Sequence, residues 1–451
     1  MTWIKANAMN IILIGILAAG AWFRLVWYGD LRSSISTAET YSYITSSRAP
    51  LFSWKIFAGK RLFSTNLIFK LANDEQSCPL APFSNPALGA EGFRENRPCF
   101  DKIVILQTFL SIFGWSLLAW TTARWIKNPF IKIATVILVI LFAFTPQIAE
   151  WDSILSPESL TFSLLIISFA LLQEVALRSA ATDNRFDLSI NPILFVAYIL
   201  TLLLWIFVRD IHLYAIVVLL ALIVPLLFLN KDRQSKFLIT SIVVLVGALV
   251  LGYLSAKDSL RATRYPLEHA FDAYVWPYPA RAKFIEGFGM PARESPEFQA
   301  WFDINATKIY GLFLISHPGF LATTLWKNFD QLKSDSIQPY FNTSDIKHRD
   351  NLLQIGEIVH PETGAVYLID ILLLISLFIL AAKYHIGALF AWSWLATWFF
   401  LVSAITLISG FFGDIDGTRR HIMPSIEMFR LFLWIFLMPL LDTSQRDLAT
   451  T

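Results

Sequence analysis

The sequence predicts an all-α polytopic membrane protein, because its composition and its apolar runs both indicate a chain that lies in lipid. Of its 451 residues, 56% are hydrophobic, and many of them gather in long runs. The 16 Trp, 38 Phe and 13 Tyr are typical of a lipid-embedded body with aromatic belts at its interfaces. A formal net charge of only +2 argues against a nucleic acid as a partner.

Ten of these runs have about the 17–25 residues needed to cross a bilayer, so we predict about ten transmembrane helices. The runs cover residues 9–28, 103–123, 131–147, 157–177, 192–208, 212–229, 237–254, 365–382, 386–409 and 421–441. We predict a single transmembrane domain over residues 1–451. Two long polar segments interrupt it, and we name residues 29–102 the first polar segment and residues 255–364 the second polar segment.

The positions of Lys and Arg predict how the helices are oriented, since short cytoplasmic loops are enriched in both. If the N-terminus lies inside, the short inside segments carry Lys5, Arg124, Lys127, Lys132, Arg178, Arg185, Lys231, Arg233, Lys236, Lys383 and Arg446. An even number of spans then returns the C-terminus to the cytoplasm. Both polar segments are expected on the extracytoplasmic side.

The first polar segment is expected to carry short helices that lie on the membrane surface. From about Thr37 to Leu71 the pattern predicts two amphipathic helices broken at Pro50. Glu39 begins the first helix, and Tyr43 follows one turn later on the same face. The alternative is an ordinary interfacial helix with a solvated acid.

The only two cysteines, Cys78 and Cys99, both fall in the first polar segment. An extracytoplasmic position favours a disulfide between them, closing a loop of about 22 residues and stabilising the fold by roughly 3 kcal/mol. The alternative is a pair of free thiols.

The short connection between the predicted third and fourth spans is acidic. Glu150 and Asp152 stand two residues apart, a spacing at which two carboxylates can share a divalent cation. Glu158 follows Ser156 and Pro157 at the start of the next helix, so it is either a substrate-binding acid or a complement to the helix dipole. A solvated loop is the alternative for Glu150 and Asp152.

Cations gather at three places predicted to face the same side. Arg209 lies in the tight turn between the fifth and sixth spans, and Lys60 with Arg61 lies in the first polar segment. Arg419, Arg420 and His421 open the last span. Arginine binds a phosphate through two parallel hydrogen bonds, so these cations predict a site for a lipid phosphate. The alternatives are local pairs, such as Arg209 with Asp210 and the last cluster with Asp414 and Asp416.

The ionisable residues inside the predicted spans argue against a transporter. Arg24, Asp370, Glu427 and Arg430 all fall in the outer half of their spans, whereas transporters usually place such residues near the bilayer midplane. The sequence also shows no repeat between its halves. A non-enzymatic scaffold would have no use for carboxylates and arginines on one face.

Together these features resemble the GT-C superfamily of membrane glycosyltransferases, which includes protein O-mannosyltransferases and the aminoarabinose transferase of lipid A. Residues 39–43, Glu-Thr-Tyr-Ser-Tyr, resemble the family's acidic motif in the first outside loop, with Glu where the family usually has Asp. Lys60-Arg61 loosely resembles a later basic motif. Glu150-x-Asp152 is similar to the E-x-D motif of oligosaccharyltransferases, and residues 420–424, Arg-His-Ile-Met-Pro, are similar to a late Arg-Tyr-x-x-Pro element.

The resemblance implies an inverting transfer of a sugar from a polyprenyl-phosphate donor to a lipid, glycan or protein acceptor. Glu39 would be the general base, with Asp30 or Asp152 as the runner-up. Tyr43 and Glu158 would contact the substrate. The donor phosphate would lie among the cations named above.

The resemblance also implies that no cofactor is required, although Glu150 and Asp152 leave a divalent cation possible. The expected location is the plasma membrane, in bacteria the inner membrane, with the site on the periplasmic or extracellular side and membrane lipids around it. The competing functions are a lipid-linked glycan ligase or polymerase and a polyprenyl-lipid flippase or transporter.

Overall fold

The computed structural model describes residues 2–27, 34–72, 78, 98–181, 191–229, 236–260, 266–333, 336–340, 348–413 and 418–450. In this part of the chain the α-helices are α1 (Thr2–Trp27), α2 (Thr40–Ser47), α3 (Trp54–Ala58), α4 (Phe63–Ala72), α5 (Asp101–Trp125), α6 (Pro129–Phe144), α7 (Pro146–Ala149), α8 (Glu158–Ala181), α9 (Pro192–Ile206), α10 (Leu213–Leu229), α11 (Lys236–Ser259), α12 (Pro266–Tyr274), α13 (Pro279–Glu286), α14 (Phe298–Ser316), α15 (Pro318–Lys327), α16 (Phe329–Leu332), α17 (Arg349–Val359), α18 (Ala365–Tyr384), α19 (Gly387–Gly413) and α20 (Thr418–Thr450). The predicted all-α polytopic fold is confirmed.

Eight helices of the described residues are long and apolar enough to cross a membrane, and they coincide with eight of the ten predicted spans. The predicted span 131–147 differs, because α6 ends at Phe144 and the chain turns by 52° into α7. Pro146 explains the break, since a proline pushes the residue before it out of the helical conformation, and Thr145 is extended. The predicted span 192–208 is α9, a shorter apolar helix of 15 residues.

The second polar segment contains an apolar helical pair that is not among the ten predicted spans. Helices α14 and α15 meet at His317–Pro318 with a bend of 84°, and together they pass the same test of length and hydropathy. The pair is therefore an elbow and does not form one straight span. The orientation of the protein in the membrane stays a prediction.

The centre of the helical bundle is α8, which is the most completely buried of the long apolar helices. It packs closely on α5 at Gly114, where an added Cβ would lie 3.0 Å from Ile167 and 3.1 Å from the carbonyl oxygen of Ser163. Two backbones approach this closely only where one residue lacks a side chain.

The first polar segment is held against the start of α8 by backbone hydrogen bonds. The Ile35 amide donates to the carbonyl of Ser153, and the Leu155 amide donates to the carbonyl of Ile35, both at 2.9 Å. The Thr40 hydroxyl donates to the Leu155 carbonyl at 3.0 Å. Because Thr40 is the first residue of α2, these bonds fix that helix beside the acidic connection between α7 and α8.

Three short helices, α2, α3 and α4, occupy the stretch for which the sequence predicted two. The additional break lies at Gly59, the extended C-cap of α3, which separates α3 from α4. The same segment contains a disulfide between Cys78 and Cys99, whose Cα atoms are 5.6 Å apart.

We expect Gly114→Leu to destabilise the protein by about 1–3 kcal/mol, because the larger side chain forces α5 and α8 apart. Gly247→Leu on α11 is the matched control, since a Cβ there meets no atom within 4 Å. Thermal unfolding in detergent measures both variants. Equal unfolding temperatures would contradict the close α5–α8 contact.

Candidate functional site

Glu39 lies at the N-terminus of α2 and is held by three side chains. Its Oε1 lies 2.5 Å from Arg420 Nη2, and its Oε2 lies 3.0 Å from Arg61 Nη2. The Tyr43 hydroxyl donates to Oε2 at 2.9 Å, from one turn along α2. The side chain of Glu39 is 36% exposed, so a ligand can reach it from outside the protein.

Arg420, near the start of α20, connects Glu39 to a second carboxylate. Its Nε lies 3.1 Å from Glu158 Oε1, and Glu158 is fully buried at the first position of α8. The Nη1 of Arg420 approaches the hydroxyl of Tyr340 at 3.4 Å. One guanidinium thus joins the first polar segment, the start of α8 and the second polar segment.

Arg209 reaches the same buried carboxylate from the turn between α9 and α10. Its Nη2 is paired with Glu158 Oε1, and its Nη1 lies 3.5 Å from Nδ1 of His421. We name Glu39, Arg61, Glu158, Arg209 and Arg420 the charge cluster. These three arginines and two carboxylates leave one positive charge in excess, which favours an anionic ligand.

The charge cluster strongly perturbs the titration of Glu39. Burial alone would raise the pKa of this carboxyl, but Arg420 and Arg61 outweigh that effect and lower its pKa from 4.5 to about 2. These ion pairs therefore stabilise the fold above about pH 4.5, and the contribution is lost as the pH falls toward 2. Burial raises the pKa of the Tyr43 phenol, so its hydroxyl stays protonated and donates to Glu39.

Glu150 and Asp152 lie in a separate cluster, and each carboxylate has its own arginine. Glu150 is paired with Arg349 of α17 at 2.6 Å and accepts a hydrogen bond from Gln338 at 3.2 Å. Asp152 lies 3.1 Å from Arg24 of α1, and both side chains are only 2% exposed.

The two carboxylates of the E-x-D pair therefore point to different partners. Among the described residues no group of three or more His, Cys, Asp and Glu side chains is arranged to hold a metal ion. The metal-binding role of Glu150 and Asp152 stays a prediction.

The remaining predicted residues lie at the edge of the charge cluster or outside the described residues. Arg419 and Lys60 are exposed neighbours of Arg420 and Arg61. Asp30, the second candidate base, lies outside the described residues, and so do Asp414 and Asp416.

Sequence reasoning missed the residues that the second polar segment contributes. Tyr340 approaches Arg420, while Gln338 and Arg349 bind Glu150. All three lie outside the predicted spans, in a polar segment where no motif singled them out. Arg24 was recognised as an intramembrane charge, but its partner is 128 residues away along the chain.

We expect Arg24→Met to destabilise the protein by about 3–5 kcal/mol, because it leaves the buried carboxylate of Asp152 without its cation. Adding Asp152→Asn should recover part of that loss, since a neutral amide does not need a counter-ion. Thermal unfolding of wild type, single and double variants measures the coupling. An Arg24→Met protein as stable as wild type would contradict a structural role for this pair.

No family model and no curated protein matches the chain. Three similar solved structures are of the archaeal oligosaccharyltransferase of Archaeoglobus fulgidus. The complex with an inhibitory peptide and a dolichol-phosphate and the form tethered to an acceptor peptide each have 12% identity and a TM-score of 0.43. The apo form has 14% identity and a TM-score of 0.42.

The matches with the two peptide-containing structures cover 96% of this chain and 50% of those chains, so the protein spans about half the length of that enzyme. At 12–14% identity and TM-scores of 0.42 to 0.43, this similarity carries no argument about the family of the chain. The function therefore rests on the residues of the site itself.

Proposed function

We propose that the protein is an inverting glycosyltransferase that moves a sugar from a polyprenyl-phosphate donor to an acceptor. The observation that carries the proposal is the contact of Glu39 with Arg420, at 2.5 Å. It brings a partly exposed acid from the first polar segment to an arginine of the last helix, which we propose as a ligand of the phosphate. A base and a cation for the leaving group are the two elements that this transfer requires.

In the proposed reaction Glu39 accepts the proton of the acceptor hydroxyl or amine. The acceptor's lone pair forms a bond to the anomeric carbon from the face opposite the phosphate. The bond between that carbon and the phosphate oxygen breaks, and the polyprenyl phosphate leaves with the electron pair. The configuration at the anomeric carbon is inverted.

Arg420, Arg61 and Arg209 are the proposed ligands of the donor phosphate. Arg61 and Arg420 both contact Glu39, so a phosphate held by them lies next to the base. Arg209 contributes a further positive charge close by, because it pairs with Glu158, which Arg420 also contacts. Guanidinium groups fixed before the reaction stabilise the developing negative charge of the leaving phosphate, so the proposed step needs no metal ion.

Glu39 is favoured over Asp152 as the base because of exposure. Asp152 is 2% exposed and is held by Arg24 and the Ser159 hydroxyl, whereas Glu39 is 36% exposed. A base must come within hydrogen-bond reach of the acceptor proton, and only an accessible carboxylate can do so. Asp30 stays the second candidate.

The lipid-linked donor places the reaction at the membrane surface. The charge cluster lies at the outer ends of α8 and α20 in the predicted orientation. We therefore propose that transfer occurs on the extracytoplasmic face of the plasma membrane, to a lipid, glycan or protein acceptor.

Glu39→Gln should abolish transfer while the protein keeps its fold, because the amide has the size of the acid but cannot accept the proton. The assay uses radiolabelled polyprenyl-phosphate sugars with membrane lipid, glycan and peptide acceptors in liposomes. Glu286→Gln, at an exposed position of α13, is the matched control and should transfer normally. If Glu39→Gln transfers at the wild-type rate, the base is another residue. If the wild type moves the lipid across the bilayer without transferring sugar, the flippase alternative replaces the proposal.

Arg420→Gln should weaken binding of a polyprenyl phosphate by about 10- to 100-fold, because a charge-assisted hydrogen bond contributes about 1.5–3 kcal/mol. Isothermal titration with farnesyl phosphate in detergent measures this loss. Arg293→Gln is the control, since Arg293 is exposed and paired with Asp272. Unchanged affinity in Arg420→Gln would remove Arg420 from the donor site.

A further inference from the structure

Glu39 and a donor phosphate need the same two cations. Within the described residues, Arg61 and Arg420 both direct a guanidinium nitrogen at the Glu39 carboxylate, one at each oxygen. The donor phosphate, esterified to both the polyprenol and the sugar, is an anion that a pair of arginines can bind as it binds a carboxylate, and it gains charge and a further free oxygen when the sugar leaves. Both anions cannot hold the same N–H groups at once.

The two arginines are held in place by contacts that do not involve Glu39. Arg420 lies against the buried Glu158 and approaches Tyr340. Arg61 donates to the Ser42 hydroxyl at 2.7 Å, and its guanidinium lies 4.0 Å from the centre of the Tyr43 ring. These contacts keep the cations where they are when the carboxylate moves.

Glu39 is the more weakly anchored partner. It occupies the N-cap position of α2, an eight-residue helix, and its side chain makes no capping hydrogen bond. It is also the more exposed member of both ion pairs, at 36% against 21% for Arg61 and 13% for Arg420. Rotation of the more exposed side chain costs less than movement of two guanidinium groups that other contacts hold in place.

We propose that Glu39 is an internal anion that holds the phosphate-binding arginines, and that the donor phosphate displaces it when it binds. This inference rests on the function proposed above. The donor's phosphate takes Arg61 and Arg420, and the carboxylate turns away from them toward the acceptor. The base is thereby released when a polyprenyl phosphate occupies the two arginines.

The displacement resolves a conflict in the chemistry of the site. A carboxylate held by two arginines has little affinity for a proton, whereas a general base works best when its pKa is near the working pH. Once the phosphate neutralises the arginines, the pKa of Glu39 rises toward its ordinary range. The groups that then still face it are the Tyr43 hydroxyl and the phosphate itself.

The test compares the affinity of farnesyl phosphate for wild type and for Glu39→Gln, measured by isothermal titration in detergent at pH 7. Removing the competing anion should tighten binding by about tenfold, since the two partly exposed ion pairs together are worth about 1–2 kcal/mol. Transfer should be lost in the same variant. Tighter binding without transfer is the result that supports displacement.

Glu158→Gln is the matched control. Like Glu39→Gln, it removes one negative charge beside Arg420, but Glu158 does not occupy the place proposed for the phosphate. It should not tighten binding, since Glu158 holds Arg420 and Arg209 in place. Equal tightening in both variants would show a general charge effect and overturn the displacement. Glu39→Gln binding no more tightly than wild type would also overturn it.

The two proposals fail in different ways. If wild type binds farnesyl phosphate and transfers sugar, but Glu39→Gln gains no affinity, only the displacement is wrong. If neither wild type nor any folded variant binds the phosphate, the proposed function is wrong as well. Glu286→Gln, a substitution at an exposed position of α13, should bind farnesyl phosphate with the affinity of the wild type and serves as the reference.

Discussion

The contact of Arg420 with both Glu39 and Glu158 is the interaction on which the site depends. It joins the beginning of the last helix to a carboxylate 381 residues earlier in the chain. Without it the N-terminus of α2 and the beginning of α8 would each carry an acid with one fewer cation. Because breaking a buried pair leaves an uncompensated charge, the cluster makes these elements energetically dependent on one another.

Backbone constraints decide where this contact can form. Pro146 ends α6 and turns the chain into the acidic connection, and hydrogen bonds between Ile35, Ser153 and Leu155 then hold the first polar segment against that connection. A continuous helix through residue 146 would have carried Glu150 and Asp152 into the span. The helix break therefore serves the site, since it allows polar side chains to gather at one end of an apolar bundle.

The second polar segment is anchored by a buried ion pair of α20. Glu427 on α20 lies 2.5 Å from both His360 and Arg430, and its other close partner is Ser336. The same region supplies Arg349 to Glu150. Ion pairs of this kind add little net stability compared with apolar packing, but they fix which residues meet. Here they set the second polar segment over the acidic connection and beside the charge cluster.

The sequence alone determined the class of the fold and most of its spans, because a hydrophobic run of sufficient length has few other structures available to it in lipid. It also singled out Glu158, Arg209 and Arg420, since charged residues stand out next to apolar spans, and the resemblance of residues 39–43 to a family motif singled out Glu39. Tertiary structure decided which of them meet, since their contacts cross up to 381 residues of chain and no local pattern encodes such pairs. It also decided that Glu150 pairs with Arg349 and Asp152 with Arg24. The two carboxylates are close in sequence, but the positions of these arginines depend on distant helices.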